Sequence, residues 1–166
     1  MLNHQHPELQ AERYVVFVDS TRRYLDCSEG VCELLGYDRS EILTKTIDDL
    51  SFDKTSVPPL FEKYVREGLQ SGEYILRHKS GAPVLINYRA WVFADRCHAA
   101  AWNPAEEWEQ LYLAALLELH LDELVRKVNL ALSAIKKRHS SVNGSNSGIL
   151  QKLRDAESAL RTLLPR

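Results

Sequence analysis

The chain has 166 residues, of which 45% are hydrophobic and 27% are charged, and its net charge is −2. This composition is typical of a folded globular protein and excludes a disordered chain. A net charge this small gives no general attraction to nucleic acid or to a membrane surface, so we expect neither as a partner. The sequence shows neither a signal peptide nor a run of roughly 20 apolar residues that would span a bilayer. Cys27, Cys32 and Cys97 form no CxxC pair, so we expect a cytoplasmic protein with reduced thiols.

The first predicted elements are two strands and a short helix. Residues 14–18, YVVFV, form an apolar strand that ends at a polar turn, and residues 23–27 can return beside it as a hairpin. Asp26 or Ser28 can cap the helix that follows. This helix is expected to end at Gly36, because glycine accepts the left-handed conformation that closes many helices.

The middle of the chain predicts a longer helix and then three strands. Residues 58–72 begin with two prolines and end at Gly72, as is typical of a helix. The apolar period then changes to two, and residues 73–79, 83–95 and 96–102 are predicted to form a meander of three strands. Two strands, several short helices and three further strands indicate the α+β fold class with an antiparallel sheet.

The strand over residues 83–95 is apolar on both faces. One face carries Val84, Ile86, Tyr88, Ala90 and Val92, and the other carries Leu85, Asn87, Arg89, Trp91 and Phe93. We expect Ala100 and Trp102 to extend the second face. A sheet with two apolar faces needs cover on both sides, so Trp91, Phe93 and Trp102 are predicted to contact a helix or a second subunit. The alternative is that these aromatic side chains are simply exposed.

The last third of the chain predicts two helices. The first is expected to run from Asn103 to about His139, and the second over residues 149–164, with a polar connector at 139–148. The second helix is too short to cover the leucine-rich stripe of the first. Two such hairpins related by a twofold axis would form a four-helix bundle, so we expect a homodimer. The predicted contact residues of the first helix are Leu113, Leu117, Leu124 and Val128.

Four short motifs occur in a recognisable order along the first hundred residues. They are YVVFVD at 14–19, CELLGY at 32–37, RSEIL at 39–43 and LRHKSGAPVLINYRA at 76–90. With this order and spacing, residues 14–102 resemble a PAS domain, which is a small sensor and interaction module. The resemblance implies a five-stranded antiparallel sheet with short helices on one face. The chain is therefore predicted to have an N-terminal extension (1–13), a PAS-like sensory domain (14–102) and a C-terminal two-helix hairpin for dimerisation and signalling (103–166).

The resemblance also indicates which cofactors to look for. Haem-binding relatives place a histidine on the helix before the last three strands, where this chain offers only Tyr64. Flavin-binding photosensors carry a reactive-cysteine motif that this sequence lacks. The residues thus identify neither haem nor flavin, and the cofactor is left unknown. A small organic ligand in the core would have Phe17, Leu35, Tyr64 and Tyr88 as its walls, and the alternative is that these side chains only fill the core.

The predicted function is that of a sensory or regulatory module in bacterial-type signal transduction. We expect no enzymatic activity and no metal site, because no catalytic or metal-binding motif is recognisable. The module would form a homodimer and relay its signal to a separate protein through the C-terminal helices. Two alternatives stay open. In the first, the chain is a phosphoacceptor fragment: His120 and the acidic residues after it resemble the phosphoacceptor site of sensor histidine kinases, and the dimerisation helices of those kinases form a similar hairpin. In the second, the chain is a dimerisation scaffold without a ligand.

Overall fold

The computed structural model describes residues 12–94, 96–142 and 146–165. The chain divides into two units, of which the first ends at Pro104 and the second begins at Ala105. Most of the predicted N-terminal extension, residues 1–11, and the centre of the predicted polar connector, residues 143–145, lie outside the described residues. Among the helices that the structure describes, none combines the length and the apolar character needed to cross a bilayer.

The first unit is built on a five-stranded antiparallel sheet. The strands are β1 (Val15–Asp19), β2 (Tyr24–Cys27), β3 (Leu69–Arg77), β4 (Pro83–Ala94) and β5 (Cys97–Pro104). Their order across the sheet is β2-β1-β5-β4-β3, so the first hairpin and the later meander join where β1 pairs with β5. The α+β class and the five antiparallel strands are therefore confirmed.

Short helices connect β2 to β3 and cover one face of the sheet. They are α1 (Glu29–Leu35), α2 (Arg39–Ile42), α3 (Ile47–Leu50), a 3-10 turn (Lys54–Ser56) and α4 (Val57–Glu67). We call the covered face the inner face; its strand residues include Val16, Val18, Ile86, Tyr88 and Trp102. Leu35, Ile42 and Leu50 are fully buried against it, and this packing forms the core of the first unit.

Helix α1 ends at Gly36, as the sequence predicts, and the structure shows why a break is needed there. Gly36 has a φ of 72° and donates its N–H to the Cys32 carbonyl at 2.8 Å. The turn between β3 and β4 docks on this end of the helix, because Lys79 donates its backbone N–H to the Leu35 carbonyl at 2.8 Å. A Cβ atom at Gly36 would lie 2.5 Å from Nε2 of His78. The glycine therefore ends the helix and also lets the turn approach.

Helix α4 is shorter than predicted. It ends at Gly68, which has a φ of 76° and donates its N–H to the Tyr64 carbonyl at 2.8 Å. Strand β3 then begins at Leu69 and pairs with β4 from Trp91 to Pro83. The predicted end at Gly72 is wrong, because Gly72 already pairs with Tyr88 in the ladder between β3 and β4.

The described residues of the second unit form three helices rather than the predicted two. They are α5 (Glu107–Leu116), α6 (Leu121–Ser141) and α7 (Ser147–Leu163). Asn103 does not cap a helix, because β5 continues through it and pairs Asn103 with Asn87. The helix instead begins after Glu106, whose backbone N–H donates to the Glu109 carboxylate at 2.9 Å.

The predicted long helix is interrupted at residues 117–120. The Glu118 carboxylate accepts hydrogen bonds from the backbone N–H groups of Leu119 and His120, each at 2.9 Å, and from Nζ of Lys127. The chain reverses at this point, and α5 and α7 both pack on α6. The part of the leucine-rich stripe that includes Leu124, Val128 and Ile135 is therefore packed inside the unit, whereas Leu117 and Leu121 stay exposed.

Replacing Gly36 with alanine is expected to destabilise the first unit more than the same change at Gly68. Both glycines have left-handed backbones, for which an L-residue costs about 1 kcal/mol or more. Only at Gly36 does the new Cβ meet the His78 ring, since nothing lies within 4 Å of a Cβ at Gly68. Urea unfolding followed by circular dichroism measures the two losses. Equal losses for Gly36→Ala and Gly68→Ala would contradict this explanation of the break.

The stability of the second unit is expected to depend on the Glu118 carboxylate. Hydrogen bonds from Lys127 and from the backbone N–H of His120 lower the pKa of Glu118 from 4.5 to about 2. Because the folded-state pKa is the lower one, the stabilisation is present above pH 4.5 and is lost as the pH falls from about 4.5 to about 2. Glu118→Gln should therefore lower Tm at neutral pH, and the difference from wild type should shrink over this interval. If the difference in Tm between Glu118→Gln and wild type stays constant with pH, this role of Glu118 is contradicted. The control is Glu123→Gln, which breaks an exposed ion pair within one helix.

Candidate ligand-binding site

A cavity of ≈ 100 Å³ lies between the inner face of the sheet and helices α3 and α4. All five strands contribute to its walls, and the helices cover part of it from the other side. A cavity of this size has room for several water molecules or for one small molecule, since about 10–15 Å³ is enough for one water. The lining residues are Val16, Val18, Tyr24, Ile47, Val57, Leu60, Phe61, Tyr64, Gln70, Tyr74, Leu76, Ile86, Tyr88, Ala90, His98, Ala99, Ala100 and Trp102.

Small side chains at the centre of the sheet leave this space open. Ala90 of β4 and Ala100 of β5 are paired neighbours, and both line the cavity. The next inward pair on the same two strands is Tyr88 and Trp102, whose large rings form one wall. Two alanines beside two aromatic rings therefore give the inner face a recess under helix α4.

A hydrogen bond joins α4 to the central strand β5 at the edge of this recess. The Tyr64 hydroxyl lies 3.0 Å from Nδ1 of His98, and the two rings meet edge to face at 5.3 Å. The Phe61 ring packs against His98 in the same way at 5.4 Å. Burial lowers the pKa of His98 and raises the pKa of Tyr64 to about 12. The pair is therefore uncharged at neutral pH.

The other tyrosines supply hydroxyl groups to an otherwise apolar lining. Tyr74 donates its hydroxyl hydrogen to Oγ of Ser51 at 2.9 Å and is thereby held in place. Burial raises the pKa of Tyr24 and of Tyr88, so both hydroxyls stay protonated and can donate hydrogen bonds. With His98 neutral, every residue of the lining is uncharged at neutral pH. The cavity thus favours a neutral molecule, since an ion would lose its hydration without a compensating charge.

The structure brings together half of the predicted pocket residues. Tyr64 and Tyr88 line the cavity. Leu35 is fully buried in the same core cluster but is not part of the wall. Placing Phe17 in the pocket is wrong, because the register of β1 turns it to the outer face, where its ring packs 5.0 Å from that of Phe93. Ligand binding by Tyr64 and Tyr88 stays a prediction.

The sequence analysis did not include Tyr24 or His98 among the pocket walls, and it placed Trp102 on the wrong face. Trp102 pairs with Tyr88 and is buried on the inner face, as is the neighbouring Ala100, so neither extends the outer patch. The reason is a register irregularity between Val92 and Ala94. This irregularity determines which residues of β5 lie on the same face as a given residue of β4. It cannot be predicted from the residue pattern of either strand.

Trp91 and Phe93 do lie on the outer face, as their alternation indicates. They are half-buried and pack against a cluster that consists of Val15, Phe17, Cys97 and Ala99. The Arg89 guanidinium lies 5.3 Å from the Trp91 ring and covers part of it. That Trp91 and Phe93 contact a helix or a second subunit stays a prediction.

The predicted contact residues of the C-terminal region are divided by the reversal at residues 117–120. Val128 is fully buried in the core of the second unit and presents no surface to another subunit, whereas Leu124 is only half-buried there and its contact stays a prediction. Leu113 is half-buried, whereas Leu117 remains exposed. The physical reason is that α5 folds back and covers α6, which the prediction of a single straight helix did not allow.

His120 is the residue that precedes α6, so it lies in the turn and not on a helix face. Its side chain is 87% exposed, and Nδ1 lies 3.0 Å from Oε1 of Glu118. Its role as a phosphoacceptor, and the similarity of these helices to kinase dimerisation helices, stay predictions. Within residues 12–94, 96–142 and 146–165, no group of three or more histidine, cysteine or acidic side chains is placed to hold a metal ion.

Solved structures share the fold of the first unit. One is a domain of a sensory box sensor histidine kinase/response regulator from Geobacter sulfurreducens, with 20% identity, a TM-score of 0.50 and coverage of 54% of this chain and 81% of that chain. A PAS domain from a two-component sensor histidine kinase has 15% identity, a TM-score of 0.51 and coverage of 55% and 84%. A light-oxygen-voltage domain studied with a flavin analogue has 19% identity, a TM-score of 0.52 and coverage of 61% and 84%. At these identities the similarity establishes the fold.

Comparison with families of known sequences identifies the first unit. No curated protein matches the chain. The PAS domain family matches residues 12–99, which is more than half of the chain and includes β1 to β4, the short helices and the start of β5. The five-stranded sheet, the helices on its inner face and this match agree, and the chain therefore belongs to the PAS domain family.

Proposed function

We propose that the chain is a sensory module that binds a small uncharged molecule in the cavity and relays its occupancy to a separate signalling protein. The observation that carries this proposal is the cavity of ≈ 100 Å³, whose uncharged lining opens onto the inner face of the sheet. The three free cysteines support a cytoplasmic location.

The chemistry of the walls defines the class of ligand. Alanines and aromatic rings favour an apolar body, and the hydroxyl of Tyr24 or of Tyr88 can donate a hydrogen bond to an acceptor atom of the ligand. The volume is well below the roughly 300–1,000 Å³ of pockets that hold drug-sized ligands. A neutral molecule of a few non-hydrogen atoms, with one oxygen that accepts a hydrogen bond, fits these limits.

The same walls provide a route for the signal. The ligand would lie between α4 and the paired Ala90 and Ala100, where its volume acts on the position of α4. Tyr64 ties α4 to His98 of β5, and β5 is the strand that continues along the chain into the second unit. We therefore propose that a displacement of α4 reaches the C-terminal helices through β5.

The second unit supports a proposal of self-association. Its described surface contains a group of leucines around the turn between α5 and α6 that are between 41% and 93% exposed: Leu116, Leu117, Leu119 and Leu121. Clusters of exposed apolar residues are typical of protein interaction sites. We propose that this leucine turn forms the homodimer contact.

Filling the recess is expected to abolish ligand binding. Ala90→Leu places a larger side chain inside the cavity, whereas Ala94→Leu, at the exposed end of the same strand, leaves it unchanged. Titration of ¹⁵N-labelled protein with 1-propanol should give saturable amide shifts in α4, β4 and β5 of wild type and Ala94→Leu. Affinity should fall at least tenfold in Ala90→Leu. Equal binding by both variants, or shifts confined to other regions, would exclude the cavity as the binding site.

A polar substitution in the leucine turn is expected to dissociate the dimer. Leu119 is 93% exposed, so Leu119→Glu removes apolar surface without disturbing the core. Light scattering after size exclusion should give twice the chain mass for wild type and for the control Val65→Glu, and the chain mass for Leu119→Glu. A wild-type protein that elutes as a monomer at tens of micromolar would show that this contact does not exist.

A further inference from the structure

Cys27 and Cys32 lie close together although they belong to different elements. Cys27 is the last residue of β2, and Cys32 lies in the middle of α1. Their Sγ atoms are 3.8 Å apart, and both thiols are free. Their spacing in the chain does not predict this proximity, because four residues separate them and they lack a CxxC pattern.

The chain between the two cysteines is held in place by Arg13 and by Val15, the first residue of β1. The Ser28 hydroxyl donates to the Arg13 carbonyl at 2.8 Å and accepts the N–H of Val15 at 3.0 Å. The Ser28 backbone N–H donates to the Val15 carbonyl at 2.9 Å. A Cβ atom at Gly30 would lie only 2.4 Å from the Arg13 carbonyl oxygen, so the start of α1 packs directly against the backbone of Arg13. The proximity of the two sulfurs is therefore a property of a fixed turn.

The two thiols differ in their access to solvent. Burial raises the pKa of Cys27 to about 12, so this thiol stays protonated and unreactive by itself. Cys32 is partly exposed, so a solvent-borne oxidant reaches it first. The Arg39 guanidinium lies nearby and acts against the rise in the Cys27 pKa. An exposed sulfur beside a protected one is the arrangement of an attacking and a resolving cysteine.

We propose that Cys27 and Cys32 form a reversible disulfide when the protein meets hydrogen peroxide. The Cys32 thiolate attacks one peroxide oxygen, the O–O bond breaks, and the released hydroxide takes up a proton to leave as water. The Cys27 sulfur then attacks Sγ of the resulting sulfenic acid, and the second hydroxide leaves with the Cys27 proton as another water. Two thiols and one peroxide thus give one disulfide and two waters.

The bond would tie the end of β2 to α1 through a closed loop of six residues, 27–32. Helix α1 buries Val31 and Leu35 completely in the core on the inner face. Oxidation would therefore fix one of the helices that cover the sheet. This site is separate from the proposed ligand and dimer contacts, and it needs neither of them.

Peptide mapping of the full-length protein tests the disulfide directly. The protein is treated with hydrogen peroxide, unfolded in the presence of iodoacetamide and digested with trypsin. Residues 24–39 form one tryptic peptide that carries both cysteines, whereas Cys97 lies in another peptide. The first peptide should be two hydrogen atoms lighter and unalkylated, and the Cys97 peptide should be alkylated. Cleavage after Glu29 should then give two segments that only a reductant separates.

Single substitutions provide the controls. Cys97→Ser should leave the oxidised peptide unchanged, and Cys27→Ser or Cys32→Ser should abolish it. If a variant fails to fold, the mass of the wild-type peptide alone shows whether the disulfide has formed. An alkylated Cys27 beside a Cys32 oxidised to sulfinic acid, or a disulfide that involves Cys97, would overturn the proposal.

Discussion

The first unit depends on how its helices cover an apolar sheet face that is uneven at its centre. The paired alanines Ala90 and Ala100 form a recess beside the rings of the inner face, and α4 spans this recess without filling it. The Tyr64–His98 hydrogen bond sets the distance between α4 and β5. Because each polar group satisfies the other and both stay uncharged, the pair can be buried at little cost. A cavity thus persists where close packing would otherwise be expected.

In the second unit, an apolar helix face is covered because the chain folds back on itself. A continuous helix would leave half of its leucine stripe in water, and the reversal at residues 117–120 places α5 on that stripe. The period of the leucines continues through the break, so the sequence pattern predicted one helix. The break depends on the Glu118 carboxylate and its partner Lys127 nine residues later. Contacts of this kind between side chains and backbone leave no signature in an apolar pattern.

The sheet shows where sequence patterns suffice and where they do not. The two faces of β4 were predicted correctly, because successive side chains of a strand point to opposite faces whatever their polarity. The YVVFV strand is apolar at every position, so its residue pattern does not indicate which side chains face outward, and the position of Phe17 could not be predicted from it. Trp102 was misplaced because a register shift at Val92 sets the phase of β5. The proximity of Cys27 and Cys32 likewise depends on hydrogen bonds that tie Ser28, which lies between them, to Arg13 and Val15. Local periodicity therefore predicted the elements and the fold class, whereas register and tertiary contacts determined the site.

The central claim is that helix α4 is held away from the alanine recess, so that the folded protein keeps an apolar cavity. A crystal structure of the protein under xenon pressure measures this most directly, because xenon enters apolar cavities of this size without needing polar partners. The account predicts xenon density between α4 and the Ala90–Ala100 pair, with the Tyr64–His98 hydrogen bond intact. A structure in which α4 packs directly on the two alanines and no xenon binds there would contradict it.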